Sequence, residues 1–473
     1  MKNILFFIIF FAILAGCSVG PDYRKPDVTV PADFKELKGW REAQPRDQEI
    51  KAKWWEAFGD PLLSSLVEKV SVENQNIALA ESQYRQALAQ VKLARANYFP
   101  TVGAGASFTR SANAGNTTSA TNQHEVSLFT AWELDIWGKV RRQVEAGRAV
   151  SEASFADLQA MRLSMQAELA LNYFQLRTLD AQKKSLDETV AAYKHALELT
   201  QNRYKAGVAA KADVVAAQTQ LKSAQAQAID VGVGRAQSEH AIAILIGKSP
   251  ADFSIAPVDF RMPQLKIPVG LPSDLLERRP DISSAERQMA AANARIGVAR
   301  AAYYPSFTIS GSLGYLGADL ANLFTSPNFF WALGPMAAAA TLFDGGARRA
   351  QSEQAMAAYD GTVAAYRKTV LTGFQEVENN LAALRILDEE AQVQEQAVTS
   401  AKESVILTTN QYKAGIVSYL NVVVVQAIAL TNERIEIGLR GQRLNAAVLL
   451  IKALGGGWTT TNNQKMFSES SMK

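Results

Sequence analysis

The spacing of hydrophobic positions along this chain changes period in a set order, and the order occurs twice. From Arg148 to Ala206 there is neither glycine nor proline, and Leu158, Met161, Met165, Leu169, Leu176 and Leu179 recur at spacings of three and four or their sum. That period marks one face of an α-helix and predicts a helix from about Lys139 to Tyr204. At 1.5 Å per residue it would run roughly 100 Å, too long to be buried in an ordinary globule. Its apolar stripe must meet neighbouring rods, while its Ala-rich, Gln-rich and charged remainder faces water. The same reading predicts helices over Leu62 to Phe99, Phe374 to Ala414 and Asn421 to Leu454.

Elsewhere the period falls to two. After Pro100, which cannot continue a helix, Val102, Ala104, Ala106 and Phe108 alternate with Gly103, Gly105, Ser107 and Thr109. Beyond the polar tract Ser111 to Gln123, Val126, Leu128, Trp132, Leu134 and Ile136 alternate with Glu125, Ser127, Glu133 and Asp135. In the second half Phe307, Ile309, Leu313 and Tyr315 alternate with Ser306, Thr308, Ser310 and Ser312, and Phe329 to Phe343 is a less regular fourth strand. Each strand has about 10 to 14 residues, enough to cross a bilayer when tilted, with Tyr98, Phe99, Trp132 and Trp137 placed as an interfacial girdle. Four strands cannot close a barrel, and lipid does not tolerate an open edge. Several chains must therefore contribute, and three would supply twelve strands.

The two halves are copies. Arg203-Tyr204-Lys205-Ala206-Gly207-Val208 recurs 208 positions on as Gln411-Tyr412-Lys413-Ala414-Gly415-Ile416, and Leu176-Arg177-Thr178-Leu179-Asp180 recurs as Leu384-Arg385-Ile386-Leu387-Asp388. Ala94-Arg95-Ala96-Asn97-Tyr98-Phe99-Pro100 matches Ala299-Arg300-Ala301-Ala302-Tyr303-Tyr304-Pro305 at a shift of 205. Units of about 200 residues are too long for a solenoid, so one large unit is used twice. The organisation expected is a leader over 1–16, an extended segment over 17–60 and a first repeat over 61–247 with a hairpin at 101–136. A linker over 248–271, a second repeat over 272–454 with a hairpin at 305–343, and a tail over 455–473 complete it.

Cys17 is the only cysteine in 473 residues, and it closes Leu14-Ala15-Gly16-Cys17 after the apolar run Ile4 to Leu14. With Lys2 as the positive start, this is a lipoprotein signal peptide, too short for a spanning helix. Cleavage before Cys17 frees its thiol for lipid such as palmitate and removes Lys2, which lowers the formal charge from +3 to +2. Near-neutrality speaks against nucleic acid. Committing Cys17 to the anchor leaves no disulfide, no cysteine-ligated metal and no thiol nucleophile. His124, His195 and His240 are scattered singly, and no phosphate loop, HExxH or GxSxG pattern occurs, so neither enzyme activity nor a cofactor beyond the lipid is expected.

The segment Gly270-Leu271-Pro272-Ser273-Asp274-Leu275-Leu276-Glu277-Arg278-Arg279-Pro280-Asp281-Ile282 precedes Leu342-Phe343-Asp344-Gly345-Gly346 and Tyr412-Lys413-Ala414-Gly415 with Tyr419-Leu420. Together with the order of lipobox, helix, hairpin, long helix and repeat, these runs resemble the outer membrane efflux family, in its lipoprotein branch. The resemblance implies a mixed α and β homotrimer: a twelve-stranded transmembrane β-barrel, four strands per chain, continued by a long periplasmic α-helical barrel. It implies partners as well, a periplasmic adaptor and an inner-membrane pump of the RND type, for which the chain would be a passive, gated exit duct in the Gram-negative outer membrane. A type I secretion duct shares the architecture, and a lipid-anchored coiled-coil scaffold would use the rods without a pore. The gate positions that match are Asp213, Tyr412, Lys413, Leu420 and Val424. Tyr412 and Lys413 match the aromatic and basic members of the family's tip network. Asp213 matches their acidic partner or, read locally, caps the helix that begins there. Leu420 matches the constricting leucine, and Val424 stands where relatives carry a pore aspartate; it lines the pore beside Leu420 or packs within the barrel wall.

Overall fold

The structure is a computed structural model that describes residues 18–27, 29–31, 33–36, 53–112, 120–258 and 278–456. Cys17, the leader, the run Gly270 to Glu277 and most of the C-terminal tail lie outside the described residues. The principal elements are α1 (Pro61–Glu73), α2 (Gln75–Ala96), β1 (Thr101–Ser111), β2 (Thr121–Leu134), α3 (Lys139–Lys205), α4 (Lys211–Leu245), α5 (Pro280–Ala301), β3 (Ser306–Gly317), β4 (Phe329–Ala339), α6 (Ala347–Lys413) and α7 (Tyr419–Ala453). The duplication is visible in their lengths. Helices α3 and α6 have 67 residues each, and α4 and α7 have 35 each.

Several boundaries differ from the sequence pattern: α6 begins at Ala347, well before the expected Phe374, because the helix runs through Gly361 and Gly373, and β4 ends at Ala339, short of Phe343. The helix expected over Leu62 to Phe99 is broken at Asn74, whose Oδ1 accepts from the N–H groups of Asn76 (2.9 Å) and Ile77 (3.2 Å), while its Nδ2 donates to the Leu245 carbonyl at 2.8 Å. An asparagine that caps a fresh helix satisfies otherwise orphaned donors, and here it also ties α2 to the end of α4. β2 also differs, beginning at Thr121 inside the polar tract.

The described chain divides into two compact units. The first takes residues 82–155 and 284–368 with the start of the chain. It contains one antiparallel sheet in the order β1-β2-β3-β4. Residues directly opposite in such a ladder point to the same face. Ala104 lies opposite Leu128, Leu128 opposite Leu313, and Leu313 opposite Trp331; Ala106, Val126, Tyr315 and Phe329 form the next row. One apolar face therefore runs unbroken across all four strands. Trp132 Nε1 donates to the Tyr98 carbonyl at 3.1 Å and Trp137 Nε1 to the Pro305 carbonyl at 2.7 Å, so each indole secures its one polar atom at a strand end.

The same unit grips the start of the chain. Arg142 donates to the carbonyls of Val19 (3.4 Å) and Gly20 (3.3 Å) and to Asp22 Oδ1 (2.9 Å), Asn293 donates to the Pro21 carbonyl (2.9 Å), and Tyr23 donates to Glu286 (2.6 Å). Gly20 has φ 107° and passes so close to Gly297 that a Cβ would stand 2.5 Å from its Cα, which leaves room for glycine alone.

The second unit takes residues 29–81, 156–283 and 369–473, within the described limits. Along its long helices part of the core is serial, as expected where helices pack side by side. Leu186, Ala228 and Val231 form one cluster and Tyr193, Leu221 and Ala224 another. At one end of α1, Asp60 accepts from the N–H groups of Leu62 (2.9 Å) and Leu63 (3.1 Å) ahead of Pro61, and the Tyr173 hydroxyl donates to it at 2.5 Å.

Candidate functional site

Two helix turns in the second unit, with the starts of the helices that follow them, carry the positions that the resemblance assigns to a gate. Helix α3 ends with the Gly207 N–H donating to the Tyr204 carbonyl at 2.9 Å and the Val208 N–H to the Arg203 carbonyl at 2.8 Å. Helix α6 ends identically, with Gly415 donating to Tyr412 and Ile416 to Gln411, both at 3.0 Å. Each is a Schellman motif, in which the residue after the helix must turn left-handed. Gly207 (φ 77°) and Gly415 (φ 79°) supply that conformation, where a side chain would be strained.

Side chains distinguish the two turns. Tyr412 and Tyr419 are buried with Ala217 and Val422, packed against Leu197, Ala216, Val417 and Val423. Their rings meet edge-on at 5.2 Å. Arg203 crosses from the first turn to the second: its guanidinium lies 4.8 Å from the Tyr412 ring centroid, and its Nη1 donates to the Lys413 carbonyl at 3.1 Å. The Arg203 Nε and the Tyr412 hydroxyl are buried and unpaired among the described residues. Burial, then Tyr412, Tyr193 and Asp213, push the Tyr419 hydroxyl up to about 12. The two turns border a cleft of about 480 Å³ with Asn202, Arg203, Val208, Lys413 and Gly415 among its walls.

The five positions expected at a gate thus fall into three groups. Tyr412 and Lys413 meet Arg203, the latter through its backbone carbonyl. Asp213 sits in the first turn of α4, whose N-cap is Ala210 with no side-chain cap, and its charge is felt at Tyr419. Leu420 and Val424 lie one turn apart on α7 and are 61% and 50% exposed, turned away from the buried cluster that Tyr419 and Val422 join. Arg203 escaped the sequence reading because its repeat counterpart is Gln411, and the contact it makes spans the two halves.

On the sheet, the apolar face is open. Val102, Phe108, Leu128, Leu313, Trp331 and Met336 are exposed in a single copy of the chain, far more apolar surface than a water-facing sheet carries. Such a face, on strands of 11 to 14 residues, is dimensioned for lipid.

The family of outer membrane efflux proteins matches residues 66–248 and 271–456, one stretch in each half. The chain belongs to that family. Among its relatives, the probable efflux pump outer membrane protein TtgC of Pseudomonas putida is 32% identical over 98% of this chain and 97% of its own length. The pyoverdine export outer membrane protein OpmQ of Pseudomonas aeruginosa is 31% identical over 97% of each. Among solved structures, the outer-membrane channel OprN superposes with a TM-score of 0.88 at 30% identity, covering 93% of this chain and 100% of that one. The open state of the MtrE outer membrane channel of Neisseria gonorrhoeae gives 0.82 at 28% identity, covering 93% and 98%. As a member of the efflux family, this chain is a channel component of the outer membrane and works in efflux.

Proposed function

We propose that three copies of this chain form the exit duct of a tripartite efflux system, closed in the lipid by a twelve-stranded barrel and continued toward the periplasm by the helices. The observation that carries this reading is the four-stranded sheet: its apolar face is continuous, and β1 and β4 each pair on one side only. Unpaired strand edges in hydrocarbon cost several kcal/mol per orphaned group, so the edges are completed by further copies. A periplasmic adaptor and an inner-membrane pump of the RND type deliver the cargo, and the duct itself catalyses nothing. Relatives named for toluene and for pyoverdine differ widely in what they export, which favours cargo selection in the pump rather than in the duct. Acylation of Cys17 is an accessory anchor: labelled fatty acid enters the wild type and not Cys17→Ser.

In this reading Leu420 and Val424 face the lumen, where a ring of apolar side chains closes a narrow pore by dewetting. Reversal potentials in planar bilayers test it. Wild-type channels conduct little at rest with weak charge selection, and Val424→Asp adds three carboxylates and shifts selectivity toward cations. An unchanged reversal potential from a stable Val424→Asp trimer removes Val424 from the pore.

A further inference from the structure

The repeated run that relates Arg177 to Arg385 and Asp180 to Asp388 places these residues at matching points of α3 and α6, and the same shift of 208 relates Arg235 on α4 to Arg443 on α7. In the first half they hold a passing piece of chain. Arg177 Nη1 donates to Asp180 Oδ2 and to the Ala256 carbonyl, both at 3.0 Å. Arg235 donates to Asp180 Oδ1 at 2.7 Å and to the Ile255 carbonyl at 2.5 Å, while the Ile255 N–H donates to Glu239 at 2.5 Å and its side chain is buried. An extended peptide is gripped by one apolar side chain, by guanidinium donors on its carbonyls and by a carboxylate on its N–H.

Helices α6 and α7 grip a different piece of chain. The N–H groups of Lys35 and Glu36 donate to the two carboxylate oxygens of Glu378 at 2.7 and 3.0 Å, Arg385 donates to Glu36 at 2.8 Å, and Phe34 is buried beside them. Arg443 pairs with Asp388, as Arg235 pairs with Asp180. The receiving carboxylates are not repeat partners: Glu239 corresponds to Ala447, and Glu378 to Ala170. The Arg235–Asp180 pair recurs as Arg443–Asp388, whereas Arg385 turns from its aspartate to Glu36 and Glu389, and each half adds its own acid.

We propose that the duplication carries a peptide-docking site, and that its second copy on α6 is a binding site for a turn in which an apolar residue precedes an acid by two positions, occupied by Phe34-Lys35-Glu36. The first copy is a fixed part of the interior, with the Arg177 side chain 1% exposed; in the second, the Arg385 side chain is 34% exposed. A water-accessible ion pair holds a segment weakly enough to let it go. The second site is therefore a releasable latch on the N-terminal segment, whereas the first cannot open without disrupting the core.

Endoproteinase Lys-C, applied to the full-length detergent-extracted protein, reads the latch as the rate of cleavage after Lys35, normalised to the rate in the urea-unfolded chain. Glu36→Gln and Arg385→Gln each raise that rate at least fivefold with the melting temperature unchanged, and the charge swap Glu36→Arg with Arg385→Glu returns it to within twofold of wild type. Arg177→Gln instead lowers the melting temperature. Unchanged cleavage in both single variants, or a swap as labile as the singles, overturns the proposal. Should the Arg385 variants fail to fold, Glu36→Gln, which alters the segment and not the helix, decides by the same rate.

Discussion

The turn after α3 and the turn after α6 have the same backbone and different contents. Both close with the same pair of hydrogen bonds around a left-handed glycine. Yet Tyr204 in the first is 46% exposed, while its counterpart Tyr412 in the second is 5% exposed and packed under Arg203. Duplication copies what the local sequence determines, a helix end. What the two turns do together depends on residues that are not copies: Arg203 against Gln411, and Asp213 against Asn421. The structural asymmetry of the two turns lies in these departures from the repeat.

The widest gap between the turns is expected at the two tyrosines. Tyr412→Ala opens a cavity under Arg203 and costs about 3–4 kcal/mol, while Tyr204→Ala stays within about 0.5 kcal/mol. Denaturant titration of both variants checks this, and equal losses would erase the distinction. A smaller effect follows at Arg203, which supplies a cation over a ring and a charged hydrogen bond to a carbonyl. Arg203→Ala costs about 2 kcal/mol, and Arg203→Lys recovers less than half, since an ammonium cannot stack and donate in the same geometry. In a Tyr412→Ala background the change should shrink to what the Lys413 carbonyl contributes, and a double-mutant cycle measures the part that belongs to the pair.

The smallest effect is absent at neutral pH. With its hydroxyl pushed up to about 12, folded Tyr419 keeps its proton where the unfolded chain, titrating near 10, loses it. The folded state then binds more protons, so stability is complete below about pH 10 and falls as pH rises toward 12. Tyr419→Phe removes this alkaline decline, and hydrogen exchange at the α7 end of the turn follows it. A decline that persists in Tyr419→Phe assigns the titration elsewhere.

How much of this was legible depended on the reach of each interaction. Long helices and alternating strands follow from residues within a turn or two of one another, so the paired long helices and the four-stranded sheet could be anticipated. Asn74 could not, because an asparagine inside a helix and one that caps the next look alike until the Leu245 carbonyl, 171 positions away, is seen at its side. Arg203 was invisible for the same reason, with its acceptor 210 positions distant. Glu36 and Glu378 give no local signal either, since nothing in the sequence near one announces the other.

Native mass spectrometry of the detergent-extracted protein tests the central claim most directly. Four strands with two unpaired edges and one apolar face require partners, and the account predicts a trimer that survives lipid removal. A stable monomer that retains all four strands would contradict it.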